Sequence, residues 1–198
     1  MRKGFTYIEM IIVLAITGLL LTATVTNFRA GQRQDAVRLG AQRLADVIRR
    51  AQSSTIGGQA KADGSVPAGY GVRVTSDVAS DTTKAILFAD DGLKTGTVNT
   101  YDASPDEMVE STSLIPTTSG TVIRVKNITV KGAGGDTTPT SLDIVFTAPL
   151  GHIYFNNDDS SAANEAVITV EDASSSAGGA REKTVTINRL TGRIDAQF

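Results

Sequence analysis

The chain contains no cysteine. That removes disulfides, thiol nucleophiles and thiolate metal sites together. An exported fold would have to stand without covalent staples. Histidine occurs once in 198 residues, as His152. A catalytic or metal role for it would need partners, and neither a second histidine nor any cysteine exists to supply them. No G-x-S-x-G, P-loop or H-E-x-x-H pattern occurs. We therefore expect no enzyme, no catalytic residue, no cofactor and no metal site, with His152 a structural or surface residue. Asn156-Asn157-Asp158-Asp159 offers oxygens to Ca²⁺ but lacks the alternating acids and central glycine of an EF-hand loop, so it reads as a solvated turn. Formal net charge is -2, so no global basic field argues for nucleic acid. Proline is absent before Pro67. There is no internal repeat of about 20–50 residues.

What the sequence does have is a gradient. Forty per cent of residues are hydrophobic, but they crowd the first quarter, while the rest is rich in Ser, Thr, Gly and Asp. Residues 5–25 form an apolar run of about 21 residues, spanning about 31 Å as a helix, one bilayer core. A cleaved secretory signal would have a shorter apolar stretch and a small-residue cleavage site after it. Here the stretch is long and no such site follows cleanly, so we expect a retained membrane helix. Orientation is ambiguous, because Arg2 and Lys3 precede the run while Arg29, Arg33 and Arg38 follow it. One carboxylate, Glu9, sits inside the run. A charge in a bilayer helix costs a few kcal/mol. Lying near the helix start, Glu9 can also snorkel to the headgroups.

The helical pattern continues past the run. Val37, Ala41, Leu44, Ile48 and Ala51 recur at steps of four and three, one face of an amphipathic helix. Gly57-Gly58 is a natural stop. One helix is expected from Phe5 to about Ser54, roughly 75 Å long. Its second half, residues 26–54, needs a partner for its stripe. Beyond it, short β-branched segments bounded by turn clusters predict strands at 70–75, 85–89, 122–130, 142–147, 152–155, 166–170, 184–188 and 193–196. Segments 56–68, 92–119 and 156–164 read as exposed loops. The economical fold class is α+β, with the C-terminal half of the helix packed across a mainly antiparallel sheet.

Lys3-Gly4-Phe5-Thr6, with Glu9 and the apolar run, resembles the class III signal of type IV pilins and pseudopilins. The resemblance implies a leader at 1–4, a filament-core helix at 5–25, its amphipathic continuation at 26–54 and a β-rich head at 55–198. It implies cleavage between Gly4 and Phe5 by a membrane-embedded prepilin peptidase, then N-methylation of Phe5. It makes Glu9 the assembly residue. The new Phe5 amine would pair with Glu9 of a neighbouring subunit, or with Glu9 of its own helix. Partners implied are other pilin subunits, inner-membrane assembly machinery and membrane lipids. The expected function is a structural subunit, held in the cytoplasmic membrane with the head outside and then polymerised into an extracellular or periplasmic filament.

A second likeness covers more of the chain. Arg43 to Gln52, Ala68-Gly69-Tyr70-Gly71-Val72, Phe146 to Gly151 and Val185 to Ile194 are similar to the H-type minor pseudopilins and FimT-like pilins. This implies an alternative: a minor subunit acting as a binding module in DNA uptake, adhesion or type II secretion. A basic series on the helix, Arg29, Arg33, Arg38, Arg43, Arg49 and Arg50, suits phosphate contact. Arg29 and Arg33, flanking the membrane run, equally suit lipid headgroups or acidic neighbours. The chain departs from many major pilins in two ways. It cannot close a disulfide loop, and residues 21–27 lack a helix proline, which leaves Gly18 as the weak point.

Overall fold

A computed structural model describes residues 6–77, 81–91, 99–102, 107–116, 121–148, 151–156, 163–173 and 181–197. Among these, one helix precedes nine strands. The helix, α1, runs unbroken over Tyr7–Ile56, 50 residues and so about 75 Å. Thr6 caps its start in extended conformation, and Gly57 ends it, followed by Gly58 at φ +59°. No proline interrupts the hydrogen-bond ladder between them. The expected start at Phe5 lies outside the described residues.

The strands are β1 Gly69–Thr75, β2 Lys84–Asp90, β3 Glu107–Ser113, β4 Ile123–Gly132, β5 Ser141–Thr147, β6 His152–Phe155, β7 Ala163–Asp172, β8 Glu182–Asn188 and β9 Ile194–Gln197. They form two sheets, not the single sheet expected. One has the order β3-β2-β1-β5-β6 and the other β4-β7-β8-β9, with every neighbouring pair antiparallel. β3 lies inside the segment expected to be a loop, 92–119. Its sequence, EMVESTS, is polar and edge-placed, so it carries no alternating apolar face to betray it.

The second half of α1 lies across both sheets and closes one core. Val37, Ala41, Leu44, Ile48 and Ala51 are all fully buried, joined by Ala36, Ala45 and Val47. They meet the inward residues of the first sheet, such as Val72, Leu87, Ile144 and Phe146, and those of the second, such as Ile128, Ile168, Val185 and Ile187. The helix approaches closely at Gly40, where an added Cβ would stand 2.7 Å from Ile123 Cγ2 and 3.2 Å from the Leu114 carbonyl oxygen. At the helix end, buried Thr55 accepts a hydrogen bond from the Tyr70 amide at 3.0 Å and donates to the Ala51 carbonyl at 3.0 Å. That tie satisfies polar groups where helix and β1 meet.

Arginines on the helix flank clamp it further. Arg43 donates to the Ile115 carbonyl at 2.6 Å. Arg49 donates to the Ile194 carbonyl at 3.2 Å, and Arg50 pairs with Glu110. The second sheet also carries cross-strand ion pairs. Arg124 meets Glu171 at 2.7 Å and Lys131 meets Glu165 at 2.9 Å, while Lys126 bonds Glu182. The Glu182 and Glu165 carboxylates hold Lys126 and Lys131, respectively, above the usual lysine range.

Candidate functional site

Among the described residues, none packs against the first half of α1 as the head packs against the second half. Tyr7–Val25 is long and apolar enough to cross a membrane, and none of it is buried by the head. Large side chains stand open all round it, among them Ile8, Leu14, Leu19, Leu20 and Leu21. An all-round apolar helix needs an apolar environment on every side, whereas a stripe needs only one partner. Its threonine hydroxyls are already answered within the helix. Thr17 donates to the Val13 carbonyl at 2.7 Å, Thr22 to Gly18 at 2.9 Å and Thr24 to Leu20 at 2.8 Å. This i−4 bonding lets threonine enter hydrocarbon without an orphan hydroxyl. Helical geometry continues through Gly18.

Glu9 is the single carboxylate in this segment. It sits in the first turn and forms a capping box with Thr6. The Thr6 amide and the Thr6 hydroxyl each donate to Glu9 Oε2 at 2.8 Å, and the Glu9 amide donates back to Thr6 Oγ1 at 3.4 Å. The carboxylate thus answers a free amide at the helix start, where negative charge also suits the macrodipole. Thr6 is the residue that sequence reasoning passed over. Its signal in the sequence is T-x-x-E ahead of an apolar run, the spacing of a capping box. The cleavage and methylation positions, Gly4 and Phe5, lie outside the described residues.

The other candidates are dispersed. His152 is exposed at the start of edge strand β6. Asn156 holds a turn: its Oδ1 accepts from the Asp143 amide at 2.8 Å and its Nδ2 donates to the Ser141 carbonyl at 3.0 Å. Asn157, Asp158 and Asp159 lie outside the described residues. Among the described residues no group of three or more metal-ligating side chains converges. The arginine series does not act as one surface. Arg43, Arg49 and Arg50 bond the head, while Arg29 and Arg33 stand exposed beside the apolar run. Comparison with family models, with curated proteins and with solved structures returns no match for this chain.

Proposed function

We propose that the protein is a structural subunit of a type IV pilus-like filament. The observation that carries this reading is the division of one continuous helix. Residues 36–55 are spent on the head, while Tyr7–Val25 is bare and apolar, with its only carboxylate in the first turn. A chain that stores an unburied apolar rod has two ways to bury it: in a bilayer, then against copies of itself. In this reading the subunit sits in the cytoplasmic membrane with its head outside, is cut after Gly4 by a prepilin peptidase and is methylated on Phe5. Packing of the apolar rods drives assembly, and Glu9 sets register by pairing with the Phe5 amine of a neighbour.

The capping box supports a two-state role for Glu9. Held by Thr6, the carboxylate has partners in the single subunit; the Phe5 amine then offers it a charged one in the filament. The likeness of Lys3-Gly4-Phe5 to a prepilin junction supports the same reading. The DNA-binding alternative draws less support, since three of the helix arginines already bond head groups. Mass spectrometry of filament-borne protein tests the proposal. Phe5 should be the first residue, with a methyl on its amine. Filaments built of chains that still carry Met1 would sink it.

A further inference from the structure

The first sheet has a second face, turned away from α1. Val72, Val74, Ala85 and Leu87 point to the core, so strand alternation puts Arg73, Thr75 and Ile86 on the opposite side. Register brings Ser111, Ile86, Arg73 and Asp143 into one row across β3, β2, β1 and β5. Thr75 and Ser141 stand side by side in the next. Above these rows lies a cleft of about 460 Å³, within the range of small-ligand sites.

Residues 99–102 cross the sheet, and Tyr101 forms one wall of the cleft. The Asn99 amide donates to Asp90 Oδ2 at 3.0 Å, and the Tyr101 amide donates to Asp143 Oδ2 at 3.2 Å. Arg73 donates to the Tyr101 carbonyl at 3.0 Å. The Tyr101 ring packs on Phe88 with centroids 5.1 Å apart and has the Arg73 guanidinium 5.4 Å from its own centroid. The aromatic wall is therefore fixed before any ligand arrives, which lowers the ordering cost of binding.

Both cations of the cleft, Arg73 and Lys84, are paired within the head, and Asp77 adds a further carboxylate at its rim. Lys84 bonds Asp81 at 2.8 Å, and Arg73 lies 3.7 Å from Asp143. An anionic ligand would have to break these pairs to reach a cation, whereas a neutral one need not. The hydroxyls of Ser111 and Ser141 can each donate and accept, while Thr75 Oγ1, which donates to the Thr140 carbonyl at 3.1 Å and accepts from the Asp77 amide at 3.2 Å, can only accept one further bond from a ligand. Ile86 and the ring of Tyr101 add apolar surface. Paired cations, hydroxyls that both donate and accept and a fixed aromatic wall suit a ligand that is neutral, polyhydroxylated and flat on one face. We propose that this cleft binds a neutral saccharide unit, its C–H face laid on Tyr101 and Ile86 and its hydroxyls bonded to Thr75, Ser111 and Ser141.

This site does not depend on filament assembly, and its test is separate. The full chain in phospholipid nanodiscs, free of glycosidic detergent, is screened by saturation-transfer NMR. The probes are glucose, galactose, N-acetylglucosamine, maltose and lactose at millimolar concentration. At least one should receive saturation, strongest on the protons of one ring face. Ser141→Ala, the loss of one hydroxyl at a half-exposed position, should weaken that sugar roughly tenfold, the effect of one lost hydrogen bond. Tyr101→Ala should abolish the signal, and if that variant does not fold, Ser141→Ala carries the test alone. Silence from all five sugars overturns the proposal, as does a signal that Ser141→Ala leaves unchanged. Binding of the zwitterion Ala-Ala or of inorganic phosphate in their place would reassign the cleft to a charged ligand.

Discussion

Tyr7–Val25 and residues 36–55 belong to one unbroken helix, yet they stand in opposite surroundings. The first stretch is the more apolar and buries nothing; the second is mixed with arginine and aspartate and buries a full stripe. Hydrophobicity alone therefore does not say what a segment of this chain will bury. Arrangement does. Apolar residues on all sides of a helix find no sheet large enough to cover them, whereas apolar residues on one side need only a single docking surface. The head is built to cover that one side. Its two sheets present inward faces to the same stripe, and buried Thr55, together with Gly40, sets how closely they approach.

The largest effect should come from removing the charge in the bare half. Glu9→Ala takes away the partner proposed for the Phe5 amine and leaves that charge unmatched in the filament core. Breaking such a pair typically costs about 3–5 kcal/mol, enough to stall each added subunit. Insertion should be unharmed, because an unpaired carboxylate is costly in hydrocarbon. Glu9→Asp should be milder. Sheared filaments are compared with the membrane pool in the native host, and normal filament yield from Glu9→Ala would remove Glu9 from the assembly mechanism.

Next in size is a matched pair of truncations. Leu44 is fully buried and Leu14 stands exposed. Leu44→Ala should cost about 2–5 kcal/mol and lower the head's thermal midpoint by roughly 2–4 °C per kcal/mol. Leu14→Ala should leave that midpoint in place. Equal shifts would mean that the two halves do not differ as described. A smaller effect is expected from one substitution made in both halves. At Gly40 a methyl group meets Ile123 and the Leu114 carbonyl; at Gly18 it meets nothing within 4 Å. Gly40→Ala should destabilise the head by about 1–3 kcal/mol. Gly18→Ala should leave the head unchanged and stiffen the rod, since glycine in a helix interior costs about 1 kcal/mol against alanine. Thermal melts of both variants in nanodiscs check the contrast.

Much of this comparison was legible in the sequence. The stripe at Val37, Ala41, Leu44, Ile48 and Ala51 stands at helical spacing, and all five are buried. Eight of the nine strands announce themselves by β-branched runs between turn residues. β3 does not, because an edge strand of polar residues obeys pairing with β2 rather than a pattern of its own. The division into two sheets was hidden for a related reason: which strands pair is decided by contacts far apart in sequence. The clamps from Arg43 to Ile115 and from Arg49 to Ile194 are equally non-local, and they turn an apparent basic stripe into structural bonds. At the N-terminal segment, Glu9 was visible as an anomaly, while Thr6 was visible only to a search for capping spacing. Tyr101 carried no signal at all. It matters because buried Asp90 and Asp143 hold residues 99–102 over the sheet.

The smallest effect is electrostatic and lies at the cleft rather than on the helix. The Lys84 ammonium and the Thr83 hydroxyl hold the Asp81 carboxyl at about 2, below its usual 3.8. Between those values the unfolded chain binds more protons than the folded one, so stability rises with pH across that window. The contribution is complete above about pH 4 and is lost as pH falls through about 2. Both partners are half-exposed, Lys84 at 48 % and Asp81 at 49 %, so solvent screens the pair and a few tenths of a kcal/mol is its scale. Asp81→Asn should therefore shift the thermal midpoint at pH 7 by no more than about 1–2 °C. Its difference from wild type should shrink as the melt is repeated toward pH 2. A difference that persists unchanged at pH 2 would mean that Asp81 acts by shape or hydrogen bonding to Thr83, not by charge. The same variant serves the sugar assay as a control on the paired cations. Asp81→Asn takes from Lys84 its partner, and inorganic phosphate, silent against wild type, should then begin to bind.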